Sequence, residues 1–195
     1  MKDLRAQEQD LIFALDIGTR SVVGVVGRPS GGRFKALDIE MAEHGSRAML
    51  DGQIDNIHQV GALARTVTDR LEERLGVRLE RVCVAAAGRA LRTQSGSFTM
   101  DISAEKTISA ETISRLEAGA LSAAEEALQM EDEVRRQFFM VGYTVAQYRL
   151  DNYPLASLLD HNGQKAEADV VATFLPGEVV ESLYAAMRTA GLQVS

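Results

Sequence analysis

The chain has 195 residues, of which 46% are hydrophobic and 25% are charged, and its formal net charge at pH 7 is −7. This composition predicts a folded domain of ordinary size or two small ones, and the acidic balance with scattered arginines argues against a nucleic-acid-binding surface. The single cysteine and three widely spaced histidines argue against a disulfide framework and a local His or Cys metal motif.

The first ten residues are polar and contain no hydrophobic core of a signal peptide, so we interpret them as a short exposed lead-in. No apolar run approaches the ~20 residues that span a bilayer. We therefore expect a cytoplasmic location.

Residues 12–27 predict two apolar strands joined by a tight turn. The first run, residues 11–15, is almost continuously apolar, as expected for a central strand covered on both faces. Asp16 ends this run, and a carboxylate there requires a partner such as a hydrated divalent cation. Gly18 permits a sharp turn.

The three residues that follow Gly18 are Thr19, Arg20 and Ser21, and their amides and side chains could face an anion. The short D-x-G-T pattern alone is more typical of an ordinary hairpin. For Arg20, an exposed position and a phosphate contact are equally consistent with the sequence.

The next elements are a turn at 28–32, a strand over 34–40 and a helix that ends at Gly76. Asp55 is expected to cap the start of this helix, and Asp51 is expected to lie in a turn. Asp38 is expected to lie near the cleft that would hold the anion. The helix has one apolar stripe, formed by Ile57, Val60, Ala64, Val67, Leu71 and Leu75. A buried strand containing Cys83 follows over 82–88.

Residues 97–103 predict a strand, Ser109 is expected to cap a helix over 110–129, and residues 138–150 predict one or two strands. The acidic residues Glu125, Glu126, Glu131, Asp132 and Glu133 form either a solvated patch or a partner-facing surface. A strand over 169–175 and a helix closed by Gly191 complete the chain.

The D-I-G-T loop at 16–19 between two strands resembles the first phosphate loop of the actin, DnaK-type chaperone and sugar kinase superfamily. The order of the later elements resembles the FtsA family of bacterial cell division proteins. The resemblance implies an α/β fold, with an actin-like (ribonuclease H-like) subdomain containing a mixed sheet and an inserted small α+β 1C subdomain. It places the first part of the actin-like subdomain at 1–88 and the inserted 1C subdomain at 89–167. The chain would then return to the actin-like subdomain over 168–195.

The resemblance also implies a nucleotide site. Asp16 would lie near Mg²⁺, acting through its water shell, while Gly18, Thr19, Arg20 and Ser21 would surround the terminal phosphates of ATP. Many FtsA sequences have lysine where this chain has Ser21. The positively charged side chain is instead Arg20, one position earlier, so the phosphate contact is altered. No catalytic residue is assigned, and the full-length protein would be at most a slow ATPase.

By resemblance, the chain is the N-terminal portion of an ATP-binding scaffold that polymerises into filaments and contacts other cell division proteins through the 1C subdomain. A C-terminal segment outside this chain would attach the protein to the inner face of the membrane. Two alternatives remain: a pilus-assembly adaptor of similar architecture, and an actin-fold phosphotransferase or chaperone-like ATPase. We expect the chain alone to bind ATP weakly, because the second half of the phosphate clamp and the adenosine pocket would lie outside it.

Overall fold

The structure is a computed structural model that describes residues 11–45, 48–50, 53–85, 90–131 and 137–195. Several sequence expectations lie outside the described residues: the lead-in, the turn at Asp51, residues 86–88 of the strand that contains Cys83, and Asp132 and Glu133 of the acidic patch. The chain divides into two compact units. The first comprises Met1–Ala90 and Glu178–Ser195, and the second comprises Leu91–Gly177.

The first unit contains a five-stranded mixed sheet in the order β11-β6-β1-β2-β3. Neighbours β1–β2 and β2–β3 are antiparallel, whereas β6 is parallel to both β1 and β11. The strands are β1 (Ile12–Ile17), β2 (Ser21–Ser30), β3 (Arg33–Glu43), β6 (Arg81–Ala85) and β11 (Gln193–Val194). Two short strands, β4 (Met49–Leu50) and β5 (Gln53–Ile54), form a separate ribbon.

Burial in β1 alternates along the strand. Phe13 and Leu15 are buried, whereas Ile12 is 38% exposed. The expectation of a strand covered on both faces was therefore wrong. Cys83 in β6 was also expected to be buried and is exposed. Because successive strand residues point to opposite faces, an apolar run alone does not show which faces are covered.

Among the described residues of the first unit there are two helices: α1 (Ile57–Leu75), which packs on β2 and β3, and α3 (Gly177–Thr189). The predicted apolar stripe of α1 is confirmed by the burial of Val60, Ala64, Val67 and Leu71. Gly24 allows close packing on β2, because an added Cβ would lie 2.7 Å from Val67 Cγ1.

The helix ends mostly follow the sequence signals. Gly76 ends α1 in the left-handed conformation with φ 67°, and Gly191 follows α3 with φ 71°. The N-cap of α1, however, is Asn56, whose side-chain oxygen accepts from the Gln59 backbone N–H at 3.0 Å. The assignment of Asp55 as the cap was wrong, since its backbone N–H instead donates to the Ala48 carbonyl.

The second unit has an antiparallel sheet in the order β7-β10-β8-β9, covered by one helix. Its elements are β7 (Arg92–Asp101), α2 (Ala110–Glu131), β8 (Phe138–Leu150), β9 (Tyr153–Leu155) and β10 (Lys165–Pro176). The predicted cap of α2 is confirmed, because Ser109 Oγ accepts from the Thr112 N–H at 3.1 Å. Glu125 and Glu126 are exposed on α2.

The strand expected over 169–175, at the return to the first unit, lies instead at the centre of the second sheet. As part of β10 it pairs with β7 and β8, and the second unit consequently extends to Gly177. A row of small residues on β10 faces α2: Ala166, Ala168, Val170 and Ala172 are all buried. Close helix–sheet packing through this row explains why the strand belongs to this unit.

No helix in the described part of the chain is long and apolar enough to cross a membrane.

Candidate functional site

The predicted turn between β1 and β2 is present, and it is closed by a backbone hydrogen bond. The Gly18 N–H donates to the Ser21 carbonyl at 2.9 Å, and Ile17 pairs with Val22 below the turn. Gly18 does not have a positive φ. Its role is close approach instead, because an added Cβ would lie 3.2 Å from the Ser21 carbonyl oxygen. Since the Gly18 amide is used within the turn, it is not free for an anion.

The polar side chains of the turn reach solvent. Asp16 pairs with Val23 of β2 on one side and with Ala85 of β6 on the other. Its side chain is exposed, as are those of Thr19 and Arg20. Ser21 is only half-buried at the start of β2. Within the described part of the chain, no side chain forms a hydrogen bond or ion pair with the Asp16 carboxylate or the Arg20 guanidinium.

This arrangement fits a phosphate–metal ligand chemically. An ionised carboxylate provides oxygen acceptors for a hydrated Mg²⁺, and a guanidinium can donate to phosphate oxygens. Of the five residues predicted for the site, Asp16, Thr19 and Arg20 are exposed at the carboxyl end of β1, whereas Gly18 and Ser21 are half-buried. Elsewhere, the described residues contain no group of three His, Cys, Asp or Glu side chains that could hold a metal.

The sequence interpretation missed His44, which follows β3 and contacts the turn. Its ring Nε2 lies 3.2 Å from the Gly18 carbonyl oxygen, and its backbone N–H donates to the Arg20 carbonyl at 2.9 Å. No local motif marks this residue. Only the antiparallel pairing of β3 with β2, in which Glu43 lies opposite Ser21, brings it there.

The other acids named from the sequence do not join this turn. Asp38 is bound by Arg74 of α1, with Nε donating to Oδ2 at 2.7 Å, and the same guanidinium donates to Glu40 at 2.5 Å. Hydrogen bonds from Arg74 hold the pKa of both carboxyls below their ordinary values. These exposed pairs connect α1 to β3 and have a structural role. Asp55 is exposed near the start of α1.

No protein-family model and no curated protein matches this chain. Among solved structures, the chain is similar to the PilM–PilN type IV pilus biogenesis complex, with a TM-score of 0.59 and 16% identity over 94% of its length. It spans 45% of the length of that matched chain.

Two further structures match 38% of this chain and 25% of their own at 19% identity. They are the ethanolamine utilization protein EutJ from Carboxydothermus hydrogenoformans, with a TM-score of 0.33, and the Ppx/GppA family member from Aquifex aeolicus, with a TM-score of 0.28. The similarity to the pilus biogenesis structure confirms the expected α/β, actin-like fold. It does not distinguish the FtsA family from other proteins with this fold.

Proposed function

We propose that this chain is part of an actin-like scaffold that binds ATP with Mg²⁺ at the β1–β2 turn and recruits protein partners. One observation carries the proposal: within an actin-like fold, Asp16 and Arg20 are exposed at the carboxyl end of β1 without a side-chain partner among the described residues. A site that is free of internal ion pairs is available to a ligand.

Each residue of the turn has a role in this proposal. Asp16 orients the water shell of Mg²⁺, and Arg20 with Thr19 contacts the terminal phosphates. Ser21 contributes a hydroxyl, and the absence of a side chain at Gly18 keeps the turn closed. With no catalytic acid assigned in this chain, hydrolysis is at most slow, and nucleotide binding acts to order the scaffold.

The test is the affinity of the full-length protein for Mg–ATP, measured by calorimetry. Arg20→Ala and Asp16→Asn are expected to raise the Kd at least tenfold, which corresponds to about 1.4 kcal/mol. Arg33→Ala is the matched control, because Arg33 is also exposed but lies at the opposite end of β2, in the next hairpin. Equal affinities for all three variants would contradict the site.

The cellular role that we propose first is the one implied by the sequence resemblance: a cell division scaffold that self-associates into filaments and binds other division proteins through the second unit. A second role, a pilus-assembly adaptor, is supported by the similarity to the PilM–PilN complex, which extends over both units. Deletion of the gene separates the two roles. Loss of the division scaffold gives filamentous cells, whereas loss of the pilus adaptor gives normally dividing cells without pili.

A further inference from the structure

His44 makes two hydrogen bonds to the turn between β1 and β2, one on each side of the Thr19–Arg20 pair. Its ring Nε2 lies 3.2 Å from the Gly18 carbonyl oxygen. Since a carbonyl oxygen only accepts, the ring nitrogen is the donor. The backbone N–H of His44 donates to the Arg20 carbonyl oxygen at 2.9 Å. A single residue directly after β3 thus holds two peptide groups of the turn.

These two bonds also determine the direction of the amide groups in the turn. No peptide bond in the described part of the chain is cis, and in a planar trans peptide group the carbonyl and the N–H point in opposite directions. The Gly18 carbonyl points toward the His44 ring, so the Thr19 N–H of the same peptide group points away from it. The Ser21 N–H is directed in the same way by the bond to the Arg20 carbonyl.

The turn has its carbonyls occupied and two of its N–H groups free. The carbonyls of Gly18 and Arg20 accept from His44, and the Ser21 carbonyl accepts from the Gly18 N–H. No hydrogen bond between described residues uses the N–H of Thr19 or Arg20. Free backbone N–H groups next to a guanidinium suit an anion, because both kinds of group donate to phosphate oxygens.

The position of the His44 ring is set by the sheet. His44 is half-buried and directly follows Glu43, which pairs with Ser21 of β2. A loop that is held in its bound conformation before the ligand arrives loses less conformational entropy on binding. Donors that are fixed in place also stabilise phosphate charge without reorganising. Without the ring, the Gly18–Thr19 peptide group loses its donor and is free to rotate.

We propose that His44 is a positioning residue of the phosphate site. Its ring holds the Gly18–Thr19 peptide group so that the Thr19 N–H is directed toward the terminal phosphates of ATP, and the ring itself does not contact the nucleotide. This inference rests on the proposed function, because it concerns the same ligand at the same turn. It adds a residue that lies outside the D-I-G-T loop and 26 positions from Gly18 along the chain.

The test compares two conservative variants in the full-length protein. In His44→Gln, the side-chain amide places an N–H donor near the position of the ring Nε2, whereas the shorter side chain of His44→Asn does not reach it. We expect His44→Ala and His44→Asn to raise the Kd for Mg–ATP about fivefold, as for the loss of one ordinary hydrogen bond. His44→Gln should stay close to wild type. Calorimetry measures the affinities, and the control is His58→Ala at an exposed position of α1.

A spectroscopic measurement follows the Thr19 amide itself. In protein with isotope-labelled threonine, the Thr19 N–H resonance is assigned by its absence in Thr19→Ser. Its proton is expected to shift downfield at saturating Mg–ATP in wild type and His44→Gln, and to shift less in His44→Ala. Thermal unfolding without nucleotide checks that each variant is folded. A loss of stability in His44→Ala with an unchanged Thr19 shift would leave His44 a structural role alone and overturn the proposal.

The affinities separate this inference from the proposed function. If wild type does not bind Mg–ATP, or if Asp16→Asn and Arg20→Ala bind it equally well, the nucleotide site and the role of His44 are both overturned. If those two variants lose affinity while His44→Ala binds as tightly as wild type, the site stands and only the role of His44 is overturned. Equal weakening in His44→Gln and His44→Ala also overturns that role, because the N–H donor would then make no difference.

Discussion

The ring of His44 is hydrogen-bonded to Gly18, the first residue of the turn between β1 and β2. Its Nε2 lies 3.2 Å from the Gly18 carbonyl oxygen, and because a carbonyl only accepts, the ring nitrogen donates. The backbone N–H of the same residue donates to the Arg20 carbonyl at 2.9 Å. The end of β3 therefore fixes both sides of the turn that carries the candidate phosphate ligands.

We expect His44→Ala to destabilise the first unit by about 1 kcal/mol, because the Gly18 carbonyl loses its donor. Amide hydrogen exchange at Gly18, whose N–H donates to the Ser21 carbonyl, should become faster. His44→Gln, which keeps an N–H donor, should restore part of the protection. The control is His58→Ala at an exposed position of α1, and identical exchange in His44→Ala and wild type would contradict the clamp.

The N-cap of α1 gives a prediction that separates two neighbouring residues. Asn56→Ala removes the side-chain acceptor of the Gln59 N–H and should cost about 1 kcal/mol of unfolding free energy. Asp55→Ala should cost much less, since only its backbone participates in the described hydrogen bonds. Urea unfolding of both variants measures the difference. An equal loss of unfolding free energy in the two variants would contradict Asn56 as the N-cap.

Gly96 in β7 lies directly under α2. A Cβ there would collide with the Ala120 carbonyl oxygen and lie 2.6 Å from the Ala124 backbone nitrogen. Because helix backbone cannot move aside cheaply, Gly96→Ala should destabilise the second unit by about 1–3 kcal/mol. Gly142→Ala in β8 is the control, as nothing lies within 4 Å of its added Cβ. Differential scanning calorimetry compares the two, and a Gly96→Ala transition at the wild-type temperature would contradict this packing.

Asp169 in β10 makes stability depend on acid pH. The Ser97 hydroxyl donates to its carboxylate at 2.7 Å, and this hydrogen bond, followed by Arg149, holds the pKa of Asp169 below the ordinary carboxyl value. A lowered folded-state pKa stabilises the fold above the unfolded-state value of about 4, and this stabilisation is lost as pH falls through the folded-state value.

The wild type should therefore lose more stability than Asp169→Asn between about pH 4 and pH 2. Asp160→Asn, at an exposed position, provides the same change of charge as a control. Urea unfolding at each pH measures the slopes, and parallel curves for wild type and Asp169→Asn would show that the pair does not contribute.

Local signals predicted the elements of this fold well. Gly76 and Gly191 were expected to end helices, and both have the positive φ that glycine tolerates. Ser109 was expected to start α2, and its hydroxyl accepts the N–H that lies three residues later. These features depend on contacts within one turn of the chain, so the neighbouring residues are sufficient to specify them.

The sequence by itself determined the helices, most strands and the turn between β1 and β2, because periodicity and turn chemistry are local. Tertiary structure alone decided which sheet β10 joins, that Cys83 is exposed, and that His44 contacts Gly18. Each of these depends on strand pairing between segments distant in sequence. Such pairing is selected by packing of the whole unit, as the small-residue row of β10 against α2 shows.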